Sequence, residues 1–375
     1  MVEETLKNER ISRFLVEQVE KRLFPSAVYL AAEKGEIIFA DAIGSAVVEP
    51  EEIPAKVNTI YDLASLTKPL VVGLICAKLL ETGELSLEDN LAKYFPEFSK
   101  DRKLMVKNLL THDSGLCDWM PFYLLVESRE EILSFIALSP AEAMPGEKVI
   151  YSDLNFLVLT FLLEKIFGRR LDEIAEEEIF KPLKLCRTFY NPPKSLLREI
   201  AASEKGNEYE KSVCIERGYS VEKVQWRDYV IWGEVHDGNC WFMSGVSGHS
   251  GLFSNVEETF ILAQQFLPDS TSLLKPETCA RFSENLTEGL NEARSLGFQL
   301  AETQDSTASD ALSKSSFGHL GFTGTSLWID PEKERIFILF TNRTHSRKPP
   351  FANINAVRRE FHRLANEELN SAGNQ

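Results

Sequence analysis

The sequence has no long hydrophobic run and no block of basic residues, and each absence argues against a class of protein. Its most apolar stretches, Pro69 to Cys76 and Leu154 to Leu163, fall well short of the roughly 20 residues that cross a bilayer. The formal net charge is −16, and an acidic chain without a compensating basic segment repels phosphate backbones and anionic lipids. We therefore expect neither a nucleic-acid partner nor a membrane partner.

Paired cysteine motifs are absent as well. The six cysteines are scattered without a C-x-x-C pair or the spacing of metal ligands. We expect them to be isolated small core residues in a reducing compartment, and we expect no metal ion. The opening segment, Met1 to Lys7, is acidic and polar, whereas a secretory signal needs a basic start and an apolar stretch. These features predict a cytoplasmic protein.

The apolar period changes along the chain. Runs typical of strands occur near both ends, at residues 27–31, 37–40, 326–329 and 336–341. A helical period covers residues 9–23 and much of the chain after residue 66. The phrase Ser254-Asn255-Val256-Glu257 has the form of a capping box that opens a helix.

These patterns predict an α+β fold, in which an antiparallel sheet flanked by helices lies beside a mainly helical lobe. We expect residues 1–375 to form one unit. The sheet lobe would take residues 1–65 and about 290–375, the helical lobe about 66–200, and a connecting, site-lining region about 201–290.

Ser65-Leu66-Thr67-Lys68 lies where a strongly apolar helix begins. Side chains three residues apart share one face of a helix, so the Lys68 amine can reach the Ser65 hydroxyl and accept or stabilise its proton. The start of a helix also favours negative charge near the serine. The alternative is an N-capping serine followed by an exposed lysine.

A second motif follows about 85 positions downstream, where Tyr151-Ser152-Asp153 precedes another apolar helix, and a third is His319-Leu320-Gly321. In this order the motifs resemble those of the serine β-lactamase, DD-peptidase and related esterase superfamily, in its class C-like branch. The phrases LLTHDSGL at residues 109–116 and GFTGTSLW at residues 321–328 are similar to wording common there. The resemblance covers roughly residues 15–365 and implies a β-lactamase/transpeptidase-like fold.

The resemblance implies a role for each matching residue. Ser65 would attack a carbonyl, and Lys68 and Tyr151 would share the removal and return of its proton. The backbone N–H groups of Ser65 and Phe322 would form an oxyanion hole. Glycine at position 321 would let a substrate backbone approach the strand closely. The reaction would be a two-step acyl transfer to water, without cofactor or metal, on a small molecule or a short peptide.

Two residues depart from the family pattern. Asp153 stands where asparagine is usual, so an ionised side chain can only accept hydrogen bonds and could instead hold Lys68 charged. His319 replaces the lysine of typical β-lactamases, which would make the binding of a carboxylate weaker or dependent on pH. In the family, H-x-G is more common among peptidases that act on D-residues. His319 could also be a strand residue bonded to solvent.

Three further polar residues were candidates for substrate binding. His236 and Asp237 either contact substrate or form a buried structural pair, and metal binding is disfavoured because other ligands are not apparent. Arg343 either anchors a substrate carboxylate or makes a surface ion pair. His112 is expected to satisfy backbone groups of its loop.

We therefore expect a serine hydrolase that cleaves amide bonds in small peptidoglycan-derived peptides or D-amino-acid amides. A promiscuous carboxylesterase or weak β-lactamase, and a catalytically silent ligand-binding protein of the same fold, are the alternatives. The G-x-S-x-G elbow of α/β-hydrolases does not occur.

Overall fold

The computed structural model describes residues 6–99, 103–222 and 224–372. The strands of these residues are β1 (Ser26–Glu33), β2 (Glu36–Val47), β3 (Ile53–Pro54), β4 (Tyr61–Asp62), β5 (Phe189–Tyr190), β6 (Leu252–Ser254), β7 (Gln299–Leu300), β8 (Phe317–Leu320), β9 (Ser326–Asp330) and β10 (Arg335–Thr341). The α-helices are α1 (Glu9–Glu20), α2 (Leu74–Thr82), α3 (Val106–Leu110), α4 (Phe122–Leu125), α5 (Glu131–Leu138), α6 (Asp153–Phe167), α7 (Leu171–Ala175), α8 (Glu208–Glu216), α9 (Gly238–Phe242), α10 (Val256–Gln264), α11 (Pro276–Ala280) and α12 (Asn355–Ala372).

Strands from both ends of the chain form one seven-stranded sheet in the order β3-β2-β1-β10-β9-β8-β7. The paired strands are antiparallel, and Leu30 of the central strand β1 lies opposite Ala40 of β2 on one side and Ile338 of β10 on the other. The predicted class, an antiparallel sheet flanked by helices, is confirmed.

The sheet is buried on both faces because alternate side chains of its central strands enter different cores. Tyr29 and Phe337 face a core that includes Phe361 of α12 and residues of α1. Val28 and Ile338 face the larger core, which continues into the helical lobe. Helix α10 covers this second face through its contacts with β1 and β10.

Helices α2 to α7 lie between β4 and β5 along the chain, and a small three-stranded sheet has the order β4-β6-β5. Strand β4 pairs with β6 through Tyr61 opposite Ser254, immediately before the segment that carries Ser65. Helix α6 ends at Gly168, whose φ of 66° lies in the left-handed region that favours glycine. The small sheet therefore fixes the entry of the chain into the Ser65 segment.

The expected capping box at Ser254 is wrong by one residue. Ser254 belongs to strand β6, and Asn255 caps α10 by accepting a hydrogen bond from the Glu258 N–H at 2.8 Å. The Ser254 backbone is committed to its ladder with Tyr61, so the next polar residue takes the cap. Among the described residues, no helix has the length and apolar character of a membrane span.

Candidate active site

The Ser65 turn, the start of α6, helix α8 and the end of β8 line a cavity of about 700 Å³. Nine of the ten site residues expected from sequence line it, namely Ser65, Tyr151, Asp153, His236, Asp237, His319, Gly321, Phe322 and Arg343. The tenth, Lys68, is fully buried behind Ser65. Residues scattered over some 280 positions of sequence thus meet in one place.

Ser65 lies in a short 3₁₀ turn, Ala64–Leu66, that is held tightly on its approach side. The Asp62 carboxylate accepts hydrogen bonds from the Ala64 N–H and the His236 N–H, each at 2.8 Å. Ala64 has a φ of 48°, a left-handed conformation that is uncommon for alanine. This strained turn presents the Ser65 hydroxyl to the cavity.

The Lys68 ammonium has three oxygen partners. It donates to Ser65 Oγ at 3.0 Å, to Asp153 Oδ1 at 2.6 Å and to the His249 carbonyl at 3.0 Å. Burial favours the neutral amine, but attraction to Asp153 and Tyr151 outweighs it, so the pKa of Lys68 is raised above its usual value. Lys68 is therefore held as a cation. Because its side chain is fully buried, the alternative of an exposed lysine is wrong.

Tyr151 lies between Lys68 and two histidines. The Lys68 Nζ is 5.0 Å from the centroid of the Tyr151 ring, and the rings of His112 and His319 lie at 4.6 and 5.7 Å. His112 accepts the Ser152 N–H at its Nδ1, as expected for a histidine that satisfies loop backbone. The same histidine packs on Tyr151 and fixes the position of its ring.

Two backbone N–H groups at the cavity have no acceptor in the part of the chain that the structure describes. They belong to Ser65 and Phe322, the residues expected to form an oxyanion hole. The turn after β8 is bonded to the chain just before Ser65. Thr323 donates to the Asp62 carbonyl, and Thr325 donates to the Leu63 carbonyl. The two N–H groups are therefore held in a fixed relation.

His319 is buried and neutral. Burial and the nearby charges of Lys68 and Arg294 hold the pKa of its imidazole well below the usual range. Its Nδ1 lies 2.9 Å from the Leu320 carbonyl, so this nitrogen carries the hydrogen and donates it. The Nε2 atom then has a free lone pair, and it is buried without a partner among the described residues. The alternative, a strand histidine bonded to solvent, is therefore wrong.

Glycine at position 321 makes room for the protein itself rather than for a substrate backbone. A β-carbon there would lie 1.9 Å from Thr325 Oγ1 and 2.6 Å from the Leu63 carbonyl oxygen. Atoms of the protein occupy the place of a side chain at position 321. The close approach that requires glycine is therefore between the end of β8 and the chain just before Ser65.

His236 and Asp237 do not pair with each other. The His236 Nε2 lies 2.8 Å from Glu204, and Asp237 Oδ1 lies 2.9 Å from His249 Nε2 while it also accepts the Cys240 N–H. Asp237 is the N-cap of α9, which turns its side chain away from that of His236. The alternative of a mutual buried pair is therefore wrong.

Arg343 is half-buried and makes no ion pair with another residue of the described part of the chain. Its guanidinium donates to the carbonyls of Phe322 at 2.7 Å and Ala352 at 2.9 Å, and it lies 4.9 Å from the Phe322 ring. Burial lowers its pKa from the usual value. Arg343 thus supports the backbone of the proposed oxyanion residue.

Several residues of the cavity gave no signal in the sequence. Arg294 is nearly buried, lies 5.5 Å from the Tyr151 ring and is paired with Glu292 at 2.5 Å. Glu210 and Tyr209 reach the cavity from α8. Arg294 is the one charged residue among the mostly apolar residues 293–298, which is a weak signal and not a motif.

One cluster has the residue types of a metal site. Asp153, Asp237 and His249 place one potential ligand atom each within 4.8 Å of one another. Lys68 already supplies a positive charge to Asp153, and His249 occupies Asp237. A divalent cation there would lie close to the buried ammonium, so the donor set suits the protein's own ion pairs better than a metal.

Comparisons with known proteins agree with this architecture. A model of the family described as Beta-lactamase matches residues 11–359. A protein of Escherichia coli (strain K12) named "Putative D-alanyl-D-alanine carboxypeptidase" is 30% identical over 369 residues, which cover 90% of this chain and 82% of the relative.

Solved structures show the same fold. A hydrolase with promiscuous acyltransferase activity, EstCE1, superposes with a TM-score of 0.73 at 19% identity, covering 94% of this chain and 98% of the other. A penicillin-binding protein homologue from Pyrococcus abyssi gives a TM-score of 0.66 at 21% identity, covering 91% and 74%.

Proposed function

The chain belongs to the β-lactamase family and is a serine hydrolase, and we propose that Ser65 is its nucleophile. The observation that carries this proposal is the 3.0 Å contact between Ser65 Oγ and the buried Lys68 ammonium, at a cavity with two unengaged backbone N–H groups. Lys68, Tyr151 and the N–H groups of Ser65 and Phe322 complete the proposed machinery.

Acylation begins when Ser65 Oγ attacks the substrate carbonyl and its proton passes to the Lys68–Tyr151 pair. Lys68 Nζ lies 5.0 Å from the centroid of the Tyr151 ring, which brings the two side chains close enough to act on this proton as one unit. The pair returns the proton to the leaving amine as the C–N bond breaks. A water then adds to the acyl-enzyme by the same steps in reverse, releasing the acid and restoring Ser65.

The negative oxygen of each tetrahedral intermediate would lie between the N–H groups of Ser65 and Phe322. Neutral His319 lines the cavity beside Tyr151, and its Nε2 carries a lone pair rather than a hydrogen. An acceptor suits an N–H of a peptide substrate better than it suits a carboxylate. His319 therefore does not replace the positive charge that a lysine would supply.

The substrate class we propose is a small peptidoglycan-derived peptide or a D-amino-acid amide. The similarity to proteins named D-alanyl-D-alanine carboxypeptidases supports it, as does the cavity volume, which suits a short peptide. We also propose a cytoplasmic location, because all six cysteines are free thiols, which suits a reducing compartment.

One observation favours an esterase as the second candidate. Tyr209, Phe322 and Phe351 form an aromatic cluster that lines the cavity, with ring centroids 4.9 to 6.1 Å apart. Such a surface would bind the apolar acyl group of a simple ester. Hydrolysis of short acyl esters without turnover of D-alanyl peptides would favour this alternative.

The test is intact-mass spectrometry after incubation with a fluorophosphonate and, separately, a penicillin. We expect wild type and Ser250→Ala to gain an adduct and Ser65→Ala to gain none. Ser250 is the matched control because this serine also lines the cavity, while its buried hydroxyl has no hydrogen-bond partner among the described residues. If neither reagent labels wild type, a silent ligand-binding protein replaces the hydrolase.

A further inference from the structure

The cavity is lined by five carboxylates, and one of them differs from the others. Four have a basic side chain within hydrogen-bond distance, in the pairs Asp118–Arg217, Asp153–Lys68, Asp237–His249 and Glu292–Arg294. The fifth, Glu210, has only neutral donors: it accepts the Gly238 N–H at 2.8 Å and the Tyr123 hydroxyl at 2.9 Å. No basic side chain of the described residues lies within 4.0 Å of it.

Glu210 is held in place rather than free to leave the cavity wall. It is only 7% exposed, and a β-carbon on Gly238 would lie 2.1 Å from its Oε2 atom. Its two donors fix both oxygens, and each oxygen keeps a further lone pair. Burying a carboxylate without a neighbouring cation is unfavourable. In the free protein the negative charge of Glu210 therefore lacks a compensating positive charge.

The neighbouring groups do not supply that positive charge. His236 is the basic residue whose charge lowers the pKa of Glu210. Its ring nitrogen Nε2, however, is bound to Glu204 rather than to Glu210. Asp237, one residue before Gly238, adds negative charge next to Glu210. Burial and Asp237 together raise the pKa of Glu210 to about 7.

We propose that Glu210 is a specificity-determining residue that binds a protonated primary amine of the substrate. An ammonium would supply the missing cation and donate to the free lone pairs of the carboxylate. Tyr209, the residue before Glu210 in α8, also lines the cavity. This inference rests on the proposed function, which makes the cavity the substrate site. It narrows the substrates to amines such as a D-amino-acid amide with a free α-amino group, or a peptide with a diamino acid.

The test measures binding in the Ser65→Ala background, where turnover cannot distort affinity. D-alanine amide is compared with its N-acetyl derivative, and Nα-acetyl-lysyl-D-alanyl-D-alanine with its Nε-acetylated form, by titration calorimetry. We expect the free amine of one pair to bind at least tenfold more tightly than its acetylated partner. The first pair reports an α-amine and the second a side-chain amine.

Glu210→Gln should abolish that preference and leave the acetylated ligands unaffected. A glutamine has the same shape, and it can still accept the Gly238 N–H and donate to the Tyr123 hydroxyl. Glu292→Gln is the matched control, since it removes a carboxylate of the same cavity that already has a cation. It should keep the preference.

The proposal is overturned if neither pair shows the preference, if nothing binds, or if Glu210→Gln keeps it. Wild-type turnover of the acetylated peptides is measured separately. Their cleavage without an amine preference would remove the Glu210 subsite and leave the proposed function intact. An amine preference without an adduct at Ser65 would remove the proposed function and leave the Glu210 subsite intact.

Discussion

The buried ion pair of Lys68 and Asp153 couples the chemistry of the site to its stability. The Lys68 side chain has no exposed area, whereas the Asp153 side chain is 19% exposed, so the carboxylate pays the smaller cost of desolvation. The ion pair brings Asp153 Oδ1 to 2.6 Å from the Lys68 ammonium. The raised pKa of Lys68 keeps a cation 5.0 Å from the centroid of the Tyr151 ring.

Removing one partner of this pair should cost more than removing both. Asp153→Asn leaves the Lys68 ammonium buried with only neutral partners, and we expect a loss of about 3 kcal/mol in the free energy of unfolding. Adding Lys68→Met should recover part of that loss, because a similar apolar volume replaces the stranded charge. Urea unfolding of the two variants at pH 7 checks this. A double variant that is less stable than Asp153→Asn would contradict the argument.

Gly321 shows how one residue joins two elements. Its missing β-carbon allows Thr325 and the Leu63 carbonyl to meet the end of β8. Gly321→Ala should therefore shift the Phe322 N–H away from Ser65, slow labelling by a fluorophosphonate at least tenfold and cost about 1–3 kcal/mol of stability. Gly83→Ala is the control for labelling: its φ of 76° strains alanine and so also lowers stability, but nothing lies within 4 Å of its β-carbon position and it does not line the cavity. Normal labelling of Gly321→Ala would show that the contact does not position the N–H.

At the scale of elements, the start of α10 shows whether Ser254 or Asn255 caps the helix. Asn255→Ala should lower the free energy of unfolding by about 1 kcal/mol, because the Glu258 N–H loses its acceptor. Ser254→Ala is informative by comparison, since the Ser254 hydroxyl bonds to Thr188 and makes no bond to a helix N–H. Chemical denaturation of these variants, with Asn255→Asp as a variant that keeps a cap, measures both effects. Equal stability of Asn255→Ala and wild type would refute the cap.

The sequence predicted the long elements because their apolar periods extend over many residues. The opening helix, the first hairpin and the two strands at residues 326–341 follow from local pattern alone. The strands β4, β5 and β6 have two or three residues each and were not foreseen. Their pairing depends on partners more than 60 residues apart, which no local period reports.

At the scale of the whole molecule, the motifs predicted which residues meet but not what each one binds. The order of S-x-x-K, the tyrosine motif and H-x-G placed Ser65, Tyr151 and His319 at one cavity. The partners of His236 and Asp237 come from Glu204 and His249, at distances along the chain that the phrase itself does not encode. Arg294 and Glu210 lie in segments without a motif, and only the folded chain brings them to the cavity.

Buried titratable groups set how stability depends on pH. His112, His319, His345 and His362 all have a pKa lowered by burial. The unfolded chain protonates these imidazoles below about pH 6.5, while the folded protein resists it. Their contribution to stability is present above pH 6.5 and is lost as the pH falls. Glu210 has the opposite sign, because its folded pKa of about 7 exceeds the value of an unfolded glutamate.

Two variants should therefore change the pH dependence of unfolding in opposite directions between about pH 5 and 6. The pKa of buried His362 is about 3, so this residue alone makes the free energy of unfolding rise by up to about 1.4 kcal/mol per pH unit in that window. His362→Gln should make the rise shallower by that amount, and its amide can still donate to the Thr307 carbonyl. Glu210 holds a proton in the folded state that an unfolded glutamate has largely lost, so Glu210→Gln should make the rise steeper. Urea unfolding at pH 5.0, 5.5 and 6.0 measures both slopes, and equal slopes in the two variants would contradict the assigned protonation states.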